Sequence, residues 1–97
     1  IWDRYREADA ELNDVWRQVL DTIQPDDDTL PADAAQEWKD HLVAAQRAWV
    51  TFKDEDCNGA VAYEWDQGSG ANAAIGTCLY DKTVARTEDL RERYLSR

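Results

Sequence analysis

Gln46-Arg47-Ala48-Trp49-Val50-Thr51-Phe52-Lys53-Asp54-Glu55-Asp56-Cys57 is the stretch on which the reading of the fold turns. It is the end of an amphipathic helix that stops at a cysteine. Traced backwards, Ala35, Trp38, Leu42, Ala45, Trp49 and Phe52 recur every three or four residues, which predicts one apolar stripe along a helix. That helix starts near Leu30-Pro31-Ala32-Asp33, where proline suits the first turn and Asp33 complements the helix dipole. Its end is expected near Cys57-Asn58-Gly59, with Gly59 free to take a left-handed cap.

Two further helices flank this one. The first runs from about Trp2 to Ile23, with Tyr5, Ala8, Leu12, Val15, Trp16, Val19 and Ile23 on its stripe. Gln24-Pro25-Asp26-Asp27-Asp28-Thr29 interrupts it, because proline cannot continue a helix, and the aspartate run reads as a solvated turn. The last runs from about Ala71 to Leu95, with Ile75, Leu79, Thr83, Arg86, Leu90 and Tyr94 on one face. Ala60 to Gly70 is the least regular segment, a short helical turn followed by glycines. No alternating run of β-branched residues reads as a strand. The expected fold is all-α, a small antiparallel bundle of three main helices, in a single domain spanning residues 1–97.

Composition narrows the function classes. A 43% hydrophobic content with five tryptophans belongs to a folded chain. The net charge is -10, and it is uneven: residues 1–66 carry 17 acidic against 6 basic side chains, whereas residues 67–97 carry 4 against 5. Nucleic-acid binding requires a basic stripe, and none is present. Anionic membrane surfaces are disfavoured for the same reason. Membrane insertion is not expected, since no apolar run approaches the ~18 residues a spanning helix needs. A basic protein is the natural electrostatic complement. The sequence opens directly in helix-like residues, without a signal-peptide pattern, so a mature form or a trimmed piece of it is expected if the protein is exported.

The side chains that carry chemistry are few. Two cysteines and the single histidine, His41, are too few for a zinc site, and the cysteines are either one disulfide or two buried thiols. No nucleophile is paired with a base by a local motif, so no catalytic residues and no cofactor are expected. Asp54-Glu55-Asp56-Cys57-Asn58-Gly59 matches the opening of a calcium loop, but the twelfth position is Trp65 where a bidentate glutamate is required, so no metal site is assigned.

Arg86 lies within an apolar stripe, and a buried charge needs a partner. It is eight residues beyond Cys78, about 12 Å along a helix. Eight residues back from Cys57 is Trp49, and reflection through the first connection reaches Arg6 to Asp9. Arg86 is therefore expected to pair with Asp9 or to stack on Trp49, a structural polar core. Trp16, Trp38 and Trp49 sit on stripes and are expected in the core. Trp65 differs: it stands between Glu64 and Asp66 in the glycine-flanked loop, and is either packed on the bundle or an anchor for a basic partner.

The pattern Q-R-A-W-x-x-F-x-D-x-x-C at Gln46 to Cys57, followed by Gly68-Ser69, Cys78-Leu79 and T-x-x-R-x-x-x-L at Thr83 to Leu90, resembles the LprI-type lysozyme-inhibitor family. Ala8-Asp9-Ala10-Glu11-Leu12-Asn13 resembles a further family position. Lys53 departs from the pattern, standing where arginine is usual. The resemblance implies a Cys57–Cys78 disulfide, hence an oxidising compartment, periplasmic or secreted. It also implies inhibition of lysozyme by protein–protein binding in the cell envelope, while the acidic charge leaves another basic envelope protein as an alternative partner. Competing expectations are an envelope interaction or stress protein of other specificity, and a peptidoglycan-fragment binder that uses exposed tryptophan. The family motifs look structural, so a partner-binding site is expected in Asn58 to Thr77, at Glu64, Trp65 and Asp66.

Overall fold

The computed structural model describes residues 1–96. In chain order it comprises α1 (Trp2–Asp21), α2 (Ala32–Asp54), a π-helical turn (Glu55–Ala60), α3 (Val61–Glu64), α4 (Ala71–Leu90) and a closing π-helical turn (Arg91–Leu95). Among the described residues there is no β-strand, and an isolated bridge between Asp26 and Leu30 closes the first connection. Within that connection Asp26 Oδ1 accepts the backbone N–H groups of Asp28, at 2.9 Å, and Thr29, at 3.3 Å. The aspartate run thus folds its own turn. The long helices form an all-α bundle in which α2 runs against α1 and α4, and the Cys57–Cys78 disulfide joins the end of α2 to the start of α4.

The closest packing is between α1 and α4. Small buried residues explain it: Ala8 on α1 faces a helix whose buried positions include Ala71, Gly76, Thr83 and Thr87. Interaxial distance follows side-chain size, so these residues let the two backbones approach. At Gly76 the approach is closest, since a Cβ there would lie 2.9 Å from Ile1 Cγ2 and 3.1 Å from Trp2 Cε2. Further along, Leu12, Val15, Val19 and Ile23 of the first helix and its exit meet Leu90, with Leu42 and Ala35 supplied by α2. The molecule is long and thin. Its principal extents are 57 × 20 × 15 Å and its radius of gyration is 16.5 Å, against about 12.5 Å for a compact chain of this length.

The α1 and α4 stripes lie where the periodicity places them, but that of α2 does not. Ala35, Leu42 and Trp49, seven residues apart, face the bundle. The intervening inward positions are Lys39, Gln46 and Lys53, not Trp38, Ala45 and Phe52. Lys53 is only 5% exposed, whereas Phe52 is 57% and Trp38 43% exposed. Trp38 and Phe52 therefore do not belong to the core. The physical reason is that a helix stepping by seven alternates steps of three and four, and here the step of four comes first. Long polar side chains can occupy such positions because their aliphatic stems pack while their heads find partners.

The end of α2 also differs from expectation. Gly59 takes no left-handed conformation, and no glycine in the chain does. The helix instead widens through the π-turn, which carries Cys57, and continues to Glu64. Reversal comes later, at Asp66 (φ 52°) and Gln67 (φ 54°), whose N–H groups donate to the carbonyls of Tyr63 and Ala62.

Candidate functional site

Three polar clusters stand along the interfaces, and an exposed turn stands at one end. Arg86 is the centre of the first cluster. Its side chain is 12% exposed, its Nε donates to Gln46 Oε1 at 2.8 Å, and its Nη1 lies 3.4 Å from Asp89 Oδ2. Burial holds its pKa below the ordinary guanidinium value; the Asp89 carboxylate opposes that shift and Arg93 adds to it. The guanidinium remains charged at neutral pH. The expected pairing with Asp9, or stacking on Trp49, is therefore replaced by a bond to Gln46 of α2. Asp9 lies across on α1, whereas the register of α2 brings Gln46 within reach of the guanidinium.

Trp49 instead belongs to the second cluster, around Lys53. The ammonium lies 5.2 Å from the Trp49 ring centroid and 5.4 Å from that of Tyr5, and it donates to the Tyr5 hydroxyl at 3.1 Å. This links α2 to the first turns of α1 and supplies partners for a charge otherwise costly to bury. In the third cluster Lys82 on α4 meets Asp56 at 3.0 Å and the ring of Phe52 at 4.8 Å. The apolar stripes do not single out Gln46, Lys53 and Lys82; for Gln46 and Lys53 the sequence signal is the seven-residue spacing of Lys39, Gln46 and Lys53, and Lys82, on α4, lies outside it.

A double-mutant cycle tests the first cluster. Gln46→Leu strands the guanidinium on its α2 side and is expected to cost about 1–2 kcal/mol. Adding Arg86→Met removes the stranded charge, so the double variant should be less destabilised than the two single effects combined, as read by urea denaturation. Strict additivity would mean that the two side chains are not coupled.

The segment resembling a calcium loop is helical. Asp54 lies 3.7 Å from Lys53 Nζ, Asp56 pairs with Lys82, and both sulfurs are consumed by the disulfide. His41 is on the exposed side of α2, with Glu37 at 3.8 Å.

The end of the molecule beyond the disulfide presents different chemistry. Glu64 closes α3, Trp65 follows, and Asp66 begins the reversal, all three exposed. Tyr63 is 71% exposed and Trp65 55%. The covered part of the indole lies against Gly70, where a Cβ would come within 2.8 Å of Trp65 Cε3. The turn thus brings Glu64, Trp65 and Asp66 together on one tip, away from Asp9, Arg86 and Trp49, which lie on the long helices.

These features define a disulfide-stapled helical bundle whose polar contacts fasten the helices and whose tip is acidic and aromatic. The chain belongs to the family described as lysozyme inhibitor LprI, whose model matches residues 1–90. An uncharacterised protein of Rhizobium meliloti (strain 1021) is 39% identical over 90 residues, which cover 91% of this chain and 64% of the relative. The chain thus spans somewhat less than two-thirds of that relative's length. No solved structure matches the chain. No described helix is long and apolar enough to cross a membrane.

Proposed function

We propose that this chain is a single-domain lysozyme inhibitor of the cell envelope, exported to the periplasm or beyond, which acts by binding and catalyses nothing. Membership of the lysozyme-inhibitor family supports lysozyme as the partner class. The observation that carries the reading to a site is the exposed Glu64-Trp65-Asp66 tip on a chain of net charge -10. An aromatic side chain flanked by acids is suited to anchor on a basic protein. The surrounding negative potential steers a basic partner towards it, an effect that weakens as salt screens it. A narrow tip at one end of a rod 57 Å long also suits entry into a cleft.

The test is a cell-lysis assay with purified protein against c-, g- and i-type lysozymes at low and moderate salt. Inhibition of at least one type at micromolar protein, stronger at low salt, is the expected result. Trp65→Ala should weaken it about tenfold or more, the range of an aromatic anchor. No inhibition of any type at either salt concentration overturns the reading.

A further inference from the structure

We propose that the open groove beside Trp65 is an arginine-docking site, taking one arginine side chain from a basic protein partner and holding its guanidinium between the indole and Asp81. The proposal rests on the inhibitor reading for the partner's identity, but the chemistry of the groove stands on its own. Val61, Trp65, Ala73, Ala74, Thr77 and Asp81 line a groove of about 590 Å³ between α3 and the first turns of α4. Its walls are mostly apolar, and the two alanines leave a shallow slot. Gly70 sets the position of the indole, because any side chain there would push the ring aside. The Cys57–Cys78 disulfide fastens α4 beside it, and Cys78 itself lines the groove.

The charges around this slot are unbalanced. Asp81 at its edge, and Glu64 and Asp66 on either side of Trp65, take no ion pair among the described residues. Lys53 of α2 and Lys82, next to Asp81 on α4, are already engaged with Tyr5 and with Asp56. The complementary ligand has an apolar stem, a flat cation and donors that can fork onto a carboxylate. Arginine meets all three requirements: its guanidinium stacks on indole and binds carboxylates bidentately. Lysine carries a compact, strongly hydrated ammonium that stacks less well. A sugar ring would stack on the indole but needs several hydrogen-bonding side chains, and the groove offers only those of Thr77 and Asp81 apart from the indole N–H.

Nitrogen–proton NMR of the whole chain tests this directly, with N-acetyl-arginine amide, N-acetyl-lysine amide and chitotriose as probes. The arginine compound is expected to give saturable shifts at the Trp65 indole N–H and at the amides of Ala73, Ala74, Thr77 and Asp81, with a dissociation constant of roughly 1–10 mM for a single side chain. The lysine compound should bind several-fold more weakly. Asp81→Asn and Gly70→Ala should each weaken arginine binding about tenfold with the remaining spectrum unchanged, the first by removing the carboxylate and the second by displacing the indole. Shifts absent from the groove, or produced by chitotriose and not by arginine, overturn the proposal. No lysozyme takes part in this titration, so its failure is distinct from failure of the inhibitor reading. In the lysis assay Asp81→Asn should reduce inhibition about tenfold. Undiminished inhibition by that variant would overturn the groove as the docking site and leave the inhibitor reading standing.

Discussion

A Cys57→Ser/Cys78→Ser double variant is expected to lose about 3 kcal/mol of stability, which lowers the thermal midpoint by roughly 12–24 °C. The two cysteines are 21 residues apart, and cutting the bridge restores the conformational freedom of that loop to the unfolded chain. The loss falls on a molecule with little to spare, because a rod with a 15 Å short axis buries less of itself than a sphere of the same length of chain. It also falls unevenly. The segment from the π-turn to the start of α4 holds no residue of the main core cluster, which lies further along the bundle around Leu12, Val15, Val19 and Leu90. Circular-dichroism melts of the oxidised protein and the variant measure the global effect. Hydrogen exchange should show amides of residues 58–75 opening first in the variant, since local opening follows sparse burial. A midpoint within about 3 °C of the parent would show that packing alone holds the tip to the bundle.

How much of this was legible in the sequence depends on the helix. On α1 and α4 the apolar positions outnumber the alternatives, and the stripes from Tyr5 to Ile23 and from Ile75 to Tyr94 identify the buried faces. On α2 two faces compete. Trp38, Ala45 and Phe52 complete one stripe, and Lys39, Gln46 and Lys53 complete the other, with Ala35, Leu42 and Trp49 common to both. Hydrophobicity alone selects the first. The structure selects the second because Lys53 finds Tyr5 and Trp49, Gln46 finds Arg86, and Cys57 reaches Cys78. Apart from the contact of Lys53 with Trp49 on its own helix, each of these is a pairing across helices that a single-helix pattern cannot display. The tip was legible only in part: an aromatic residue between acids and near glycines has no stripe to join, which leaves packing on the bundle and exposure both open, and Trp65 lies 55% exposed with its ring against Gly70. What hydropathy could not show was the groove beside it, because Val61, Ala73 and Ala74 come together only once α3 and α4 are folded back on each other.

Leu90→Ala against Phe52→Ala turns this difference of register into a measurement. Leu90 is fully buried at the meeting of α4 with α1 and α2, and its truncation is expected to cost about 3 kcal/mol. Little relaxation can fill the space, since the facing residues Val15, Val19 and Ile23 are β-branched and stiff. Phe52 belongs to the signature segment and carries a larger side chain, so the stripe read from sequence assigns it a comparable or greater loss. In the observed register it is 57% exposed and touches Lys82 at 4.8 Å, and its truncation should cost no more than about 1 kcal/mol. Urea denaturation of the two variants with a common slope gives both values. Equal losses would place Phe52 inside the bundle and Lys53 outside it, which would also dissolve the Lys53–Tyr5 contact that fastens α2 to the first turns of α1. A threefold or larger difference places Lys53 inside the bundle and leaves the Phe52 ring at its surface.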